Sequence, residues 1–100
     1  MTKSENLLVT LTEECAEVQQ AVSKVLRFGR SNYNPATPQV TNELEVLTEY
    51  YQLIAVMEML IDSGVLKQLG DYEIEKIKSS KKYKVELHQS ISQDCGCIKD

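Results

Sequence analysis

SENLLVTLTEECAEVQQAVSKVLRF, running from Ser4 to Phe28, decides the fold class of this chain. Leu7 or Leu8, Leu11, Cys15, Val18, Val22 and Val25 or Leu26 recur at steps of three and four, the period of a helix with one apolar face. Ser4 stands where an N-cap belongs, Glu5 follows it in the first turn, and Gly29 ends the pattern as a C-terminal glycine does. A stripe centred on Leu11, Cys15, Val18 and Val22 makes Cys15 a small core residue. Glu14, Glu17, Ala21 and Lys24 then run along one flank of that stripe, with Glu13, Gln20 and Arg27 further round toward the outside.

Outward from this helix, Arg30 to Gln39 contains Asn32, Asn34, Pro35 and Pro38 and has no apolar period. It reads as a loop of a length that is often functional. A second helix is predicted from near Thr41, with Thr41 or Asn42 as its cap, to about Asp62, closed by Ser63-Gly64. A third begins at an Asp71 cap, with Ile74, Ile77, Tyr83 and Leu87 as its weaker apolar face. Its lysines, Lys76, Lys78, Lys81, Lys82 and Lys84, alternate with acids and read as a solvated surface. No stretch has the alternation of a strand, and there are no repeats. The expected architecture is an all-α helical bundle, one domain over residues 1–90 with a flexible tail over 91–100.

Composition narrows the function classes. One hundred residues, 42% hydrophobic with a net charge of -4, fit one small folded domain. The acidic balance argues against duplex nucleic acid, which demands clustered Lys and Arg. No apolar run is long enough to span a bilayer, and no signal-peptide order opens the chain, so a cytoplasmic location and no membrane partner are expected. Three cysteines do not form a secreted disulfide framework. Cys95-Gly96-Cys97 lacks the further ligands of a zinc site and is read as part of an unstructured end.

The second helix is apolar over more of its circumference than a three-helix protein can cover. Leu47, Tyr50, Tyr51, Ile54, Met57 and Ile61 form one broad face, and Leu53, Val56, Met59 and Leu60 extend it. A second copy of the chain is the simplest cover, so a homo-oligomer is expected. Opposite that face runs a stripe of Glu45, Glu49, Gln52 and Val56. If the first two helices lie side by side, Glu14, Glu17 and Glu49 converge, with Gln52 completing the set. Crowded carboxylates repel unless a hard cation bridges them, and such oxygen sites suit Mg²⁺ holding substrate phosphates.

Leu11-Thr-Glu-Glu-Cys-Ala-Glu-Val-Gln-Gln-Ala21, followed by Lys24-Val-Leu-Arg-Phe-Gly29, resembles the phage-type branch of the MazG-like all-α nucleoside triphosphate pyrophosphohydrolases. Asn42 and Glu49-Tyr-Tyr-Gln52-Leu-Ile-Ala-Val-Met-Glu-Met-Leu60 are similar to the family's second signature. The resemblance covers about Leu7 to Leu60 and keeps the order and spacing of both motifs.

The resemblance implies that Glu13, Glu14, Glu17 and Glu49 hold Mg²⁺, with Mn²⁺ as an alternative, and that Glu14, Glu17 and Glu49 are catalytic. Lys24, Arg27, Arg30 and Asn42 would contact the phosphates of a nucleotide. Cleavage between the α- and β-phosphates would yield a nucleoside monophosphate and pyrophosphate. Assembly as a homodimer or homotetramer follows from the same likeness, as does the host cytoplasm if the chain is phage-encoded. One residue departs from the pattern: Gln52 stands where the family has Asp. Its carbonyl can still join a metal site, but it supplies neither charge nor a base. A second expectation therefore stands beside hydrolysis, a protein that sequesters a nucleotide-derived defence signal without cutting it.

Overall fold

A computed structural model describes the chain from Met1 to Asp100. It holds three helices, α1 (Lys3–Phe28), α2 (Asn42–Asp62) and α3 (Asp71–Asp94). The only extended pairing is an isolated antiparallel bridge between Tyr33 and Thr41, so the chain is all-α. No helix is long and apolar enough to cross a membrane. The chain divides into two units, Met1–Lys67 and Gln68–Asp100.

Capping chemistry sets the ends of α1 and α2. The Thr2 hydroxyl accepts a 3.1 Å hydrogen bond from the Glu5 N–H, so α1 starts earlier than Ser4 suggests. Gly29 stops it at φ 89°, a left-handed backbone that suits glycine, and its N–H returns to the Val25 carbonyl at 2.8 Å. At the start of α2 the Thr41 hydroxyl accepts from the Leu44 N–H at 3.1 Å.

The loop between the two helices is tied across its base. Asn42, only 8% exposed, donates from Nδ2 to the Gly29 carbonyl at 2.9 Å. Its own N–H reaches the Asn32 carbonyl, and the Glu43 N–H reaches the Arg30 carbonyl, each at 2.9 Å. These bonds return the chain directly beside α1, and α1 and α2 pack as an antiparallel hairpin.

The seam of that hairpin differs from the stripe expected of α1. Leu7, Leu11, Glu14, Val18, Ala21 and Val25 are covered, whereas Cys15 and Val22 are exposed. The covered line lies about one residue round from the predicted one. On α2 the covered residues are Asn42, Glu45, Val46, Glu49, Leu53, Ile54, Val56, Met57, Leu60 and Ile61. Leu47, Tyr50 and Tyr51, placed in the apolar face by the sequence pattern, are exposed. The physical reason is shared: each helix carries an apolar arc wider than one neighbour can cover, and the partner helix takes one edge of it. The only buried apolar side chains are Ala21 and Leu60, 4% and 0% exposed.

In the second unit, α3 follows Gly70, whose N–H donates to the Glu73 carboxylate at 3.4 Å. Asp71 is thus the first helical residue and not the cap. The helix continues to Asp94, so Ile91–Asp94 are helical where a flexible tail was expected. Nothing in that stretch breaks a helix until Gly96.

Leu60→Ala is expected to lower the unfolding free energy by about 2–5 kcal/mol through the cavity it leaves. Asn42→Ala, which strands the Gly29 carbonyl, should cost about 1–3 kcal/mol. Urea titration followed by circular dichroism measures both.

Candidate metal and phosphate site

Helix geometry places Glu14 and Glu17 one turn apart on α1, and the antiparallel return of α2 brings Glu49 against them. Each of the three acids can offer a carboxylate oxygen within 4.8 Å of the other two. Glu17 is exposed, while Glu14 and Glu49 are half-buried in the seam. One oxygen of each seam acid, Oε2 in both, is shut off from solvent and has no hydrogen-bond partner. Buried polar atoms are ordinarily satisfied, so two orphaned carboxylate oxygens in one place call for a ligand or a proton.

The electrostatics agree. Burial raises the Glu14 carboxyl above its ordinary value of 4.5, and Glu17 and Glu13 add to the shift. Burial also raises Glu49, followed by the close approach of the Glu17 carboxyl and by the charges of Glu17, Glu14 and Glu45. Removing a carboxylate from water and setting it beside another both disfavour the charged form. A hard cation would remove both penalties, and an all-oxygen donor set of this kind suits Mg²⁺ or Mn²⁺.

The other residues selected from the sequence divide into those near this cluster and those away from it. Glu13 is exposed and outside the convergent trio. Gln52, one turn on from Glu49, is exposed. Lys24 pairs with Glu45 across the helices at 3.3 Å. That pair is half-exposed and contributes little stability, so the ammonium can exchange Glu45 for a phosphate at small cost.

Beyond Lys24 and Glu45 lies a cavity of about 400 Å³, walled also by Phe28, Tyr33, Asn32 and Asn42. Two aromatic rings and three amides, Asn34 being the third, in one hollow can hold a planar heterocycle by stacking and hydrogen bonding. Asn42 contributes mainly as the clasp on Gly29. Arg27 sets its guanidinium 5.1 Å over the Phe28 ring and does not line the cavity. Arg30 is on the opposite flank of the hairpin, in an apolar groove of about 280 Å³ with Val22, Val25, Val46 and Leu47. The structure therefore does not bring Arg30 together with Lys24.

Phe28 was missed as a site residue because it closes a helical apolar pattern. Its signal lay in the sequence that follows, a loop dense in Asn, Tyr and Pro. That loop is internally braced: Asn32 Oδ1 accepts from the Tyr33 N–H and Asn34 Oδ1 from the Ala36 N–H, both at 2.9 Å.

Comparison with protein-family models, with curated proteins and with solved structures finds no match to this chain.

Because the folded state raises Glu14 and Glu49, the stability linked to their protons is present below about 4.5 and lost as pH climbs through the raised values. Without divalent cations, Tm should fall over that window, and Glu49→Gln should flatten the fall. At neutral pH, Mg²⁺ should raise Tm of the wild type and leave Glu49→Gln unmoved. Differential scanning calorimetry across pH, with and without MgCl₂, checks the sign; a flat profile with no cation response would count against a metal site.

Proposed function

We propose that this protein is a MazG-like nucleotide-binding protein that acts as a Mg²⁺-dependent hydrolase, converting a nucleoside or deoxynucleoside triphosphate to the monophosphate and pyrophosphate. The observation carrying the reading is the convergence of Glu14, Glu17 and Glu49 around two unpartnered buried oxygens. These are also the acids selected by the sequence resemblance, so a pattern along the chain and a geometry across two helices point to the same residues.

In this reading Glu14, Glu17 and Glu49 hold the cation, and the exposed Glu17 faces the incoming phosphates. Bound Mg²⁺ would supply charge neutralisation for the triphosphate and acidify an attacking water. Lys24 leaves Glu45 to take a phosphate oxygen. Phe28 and Tyr33 enclose the base in the adjoining cavity, with Asn32 presenting its amide. Arg27 steadies Phe28 by lying on its ring.

Gln52 favours a second reading, retention of an intact nucleotide or nucleotide-derived signal. An amide in the family's Asp position weakens the cation's hold and offers no base. One assay separates the two: a panel of triphosphates is incubated with protein and Mg²⁺, then scored for both binding and pyrophosphate release. Hydrolysis predicts pyrophosphate release that Glu49→Gln lowers by at least about a hundredfold and that Gln52→Asp increases. Sequestration predicts a ligand recovered intact after denaturation. Neither release nor a Mg²⁺-dependent thermal shift with any triphosphate would sink both.

The proposal includes a homodimer or homotetramer built on the uncovered apolar flank of the hairpin. Leu8, Val22 and Leu26 of α1 and Leu47, Tyr50 and Tyr51 of α2 are all at least 40% exposed. A monomeric soluble domain rarely leaves such a surface open. Tyr51→Glu should shift the mass measured by light scattering to that of the monomer; an unchanged mass would place the interface elsewhere.

A further inference from the structure

We propose that Cys95 and Cys97 form a reversible dithiol–disulfide site that exchanges electrons with low-molecular-weight disulfides of the glutathione class. The geometry comes from how α3 ends. The Cys95 N–H reaches the Ile91 carbonyl at 3.1 Å, and the next turn is replaced by a fold-back in which the Cys97 and Ile98 N–H groups both reach the Ser92 carbonyl, at 2.8 and 3.1 Å. Gly96 makes the reversal at φ 84°, where a side chain would be strained. As a result the two sulfurs, both on exposed residues, stand 3.2 Å apart. A disulfide needs about 2.05 Å, so closure asks for a small approach and no refolding. The segment expected to be unstructured is thus a capped helix end carrying a preformed dithiol.

The two thiols are not equivalent. The two sulfurs share a hydrogen bond that either can donate, and the contact holds Cys95 below the ordinary thiol range and pushes Cys97 above it. Cys95 is therefore the nucleophile and Cys97 the resolving thiol. In the exchange, the Cys95 thiolate attacks one sulfur of the external disulfide, whose S–S bond breaks and releases one thiolate to be protonated. Cys97 gives its proton to solvent, and its thiolate attacks the Cys95 sulfur of the mixed disulfide. The second external thiolate leaves and is protonated. Two protein thiols are oxidised to one disulfide, and one external disulfide is reduced to two thiols. A small exposed ring of this kind belongs with the readily reduced disulfides, so the reverse reaction runs in excess thiol.

The test uses the full-length protein in buffers of graded reduced to oxidised glutathione, quenched with a maleimide and read by intact mass and peptide mapping. The expected result is a joint loss of labelling at Cys95 and Cys97, with loss of two hydrogens and return of both labels in reducing buffer. Cys97→Ser should accumulate a stable glutathione adduct on Cys95, whereas Cys95→Ser should react about tenfold more slowly. Gly96→Val should slow ring closure, since it disturbs the reversal. Separate adducts on the two cysteines, disulfide-linked chains, or equal reactivity of the two serine variants would overturn the proposal. All three substitutions lie at an exposed helix end, so folding of α1 and α2 does not confound the readout.

Discussion

Two carboxylates placed in the seam between a pair of helices constrain everything else in the first unit. Glu14 and Glu49 occupy positions that apolar residues take at the other turns of the same seam, and a third acid, Glu17, stands beside them. An apolar pair there would pack and contribute to stability; acids there repel and lose hydration. The hairpin tolerates them through compensation at its two ends. The loop end is fastened by Asn42 on Gly29, and the other end of α2 by Leu60, the one large side chain sealed from solvent. Stability is thus concentrated away from the acids, at the two ends of the hairpin.

The same packing gives the hairpin two unlike flanks. One carries Glu17, the Lys24–Glu45 pair and the cavity lined by Phe28 and Tyr33. The other carries Val22, Leu26, Leu47 and Tyr51 and has almost no polar surface along the groove beside Arg30. A charged flank and an apolar flank follow from a single event, the settling of α2 against one edge of the α1 apolar arc. In the second unit the chemistry is local: Gly96 turns the chain at the end of α3, and the turn brings two cysteines together.

Much of this was legible along the chain. Thr41 as a cap, Gly29 as a stop and the spans of α1 and α2 follow from rules that reach only four residues, and they match within a residue or two. The convergence of Glu14, Glu17 and Glu49 was also accessible, because helical spacing puts the first two on one side and a hairpin brings the third. Cys15 and Val22 were misassigned to the core because periodicity locates the middle of an apolar arc and cannot say which part a neighbour covers. Arg30 was grouped with Lys24 because proximity in sequence beyond a helix end says nothing about the side on which a residue emerges. The tail reads as loose because the apolar period of α3 ends at Leu87, yet no breaker precedes Gly96.

Residue chemistry alone dictated three helices, the glycine stop of the first, and acids at a spacing that invites a cation, because hydrogen bonds and side-chain neighbours within a helix are set by separation along the chain. The rotation of each helix about its own axis was settled by tertiary packing. That rotation sank Glu14 and Glu49 into the seam, left Tyr50 and Tyr51 outside, and split Lys24 from Arg30. It depends on which surfaces meet across space, through the small side chain of Ala21 and the Asn42 clasp, and no interval within either helix encodes it.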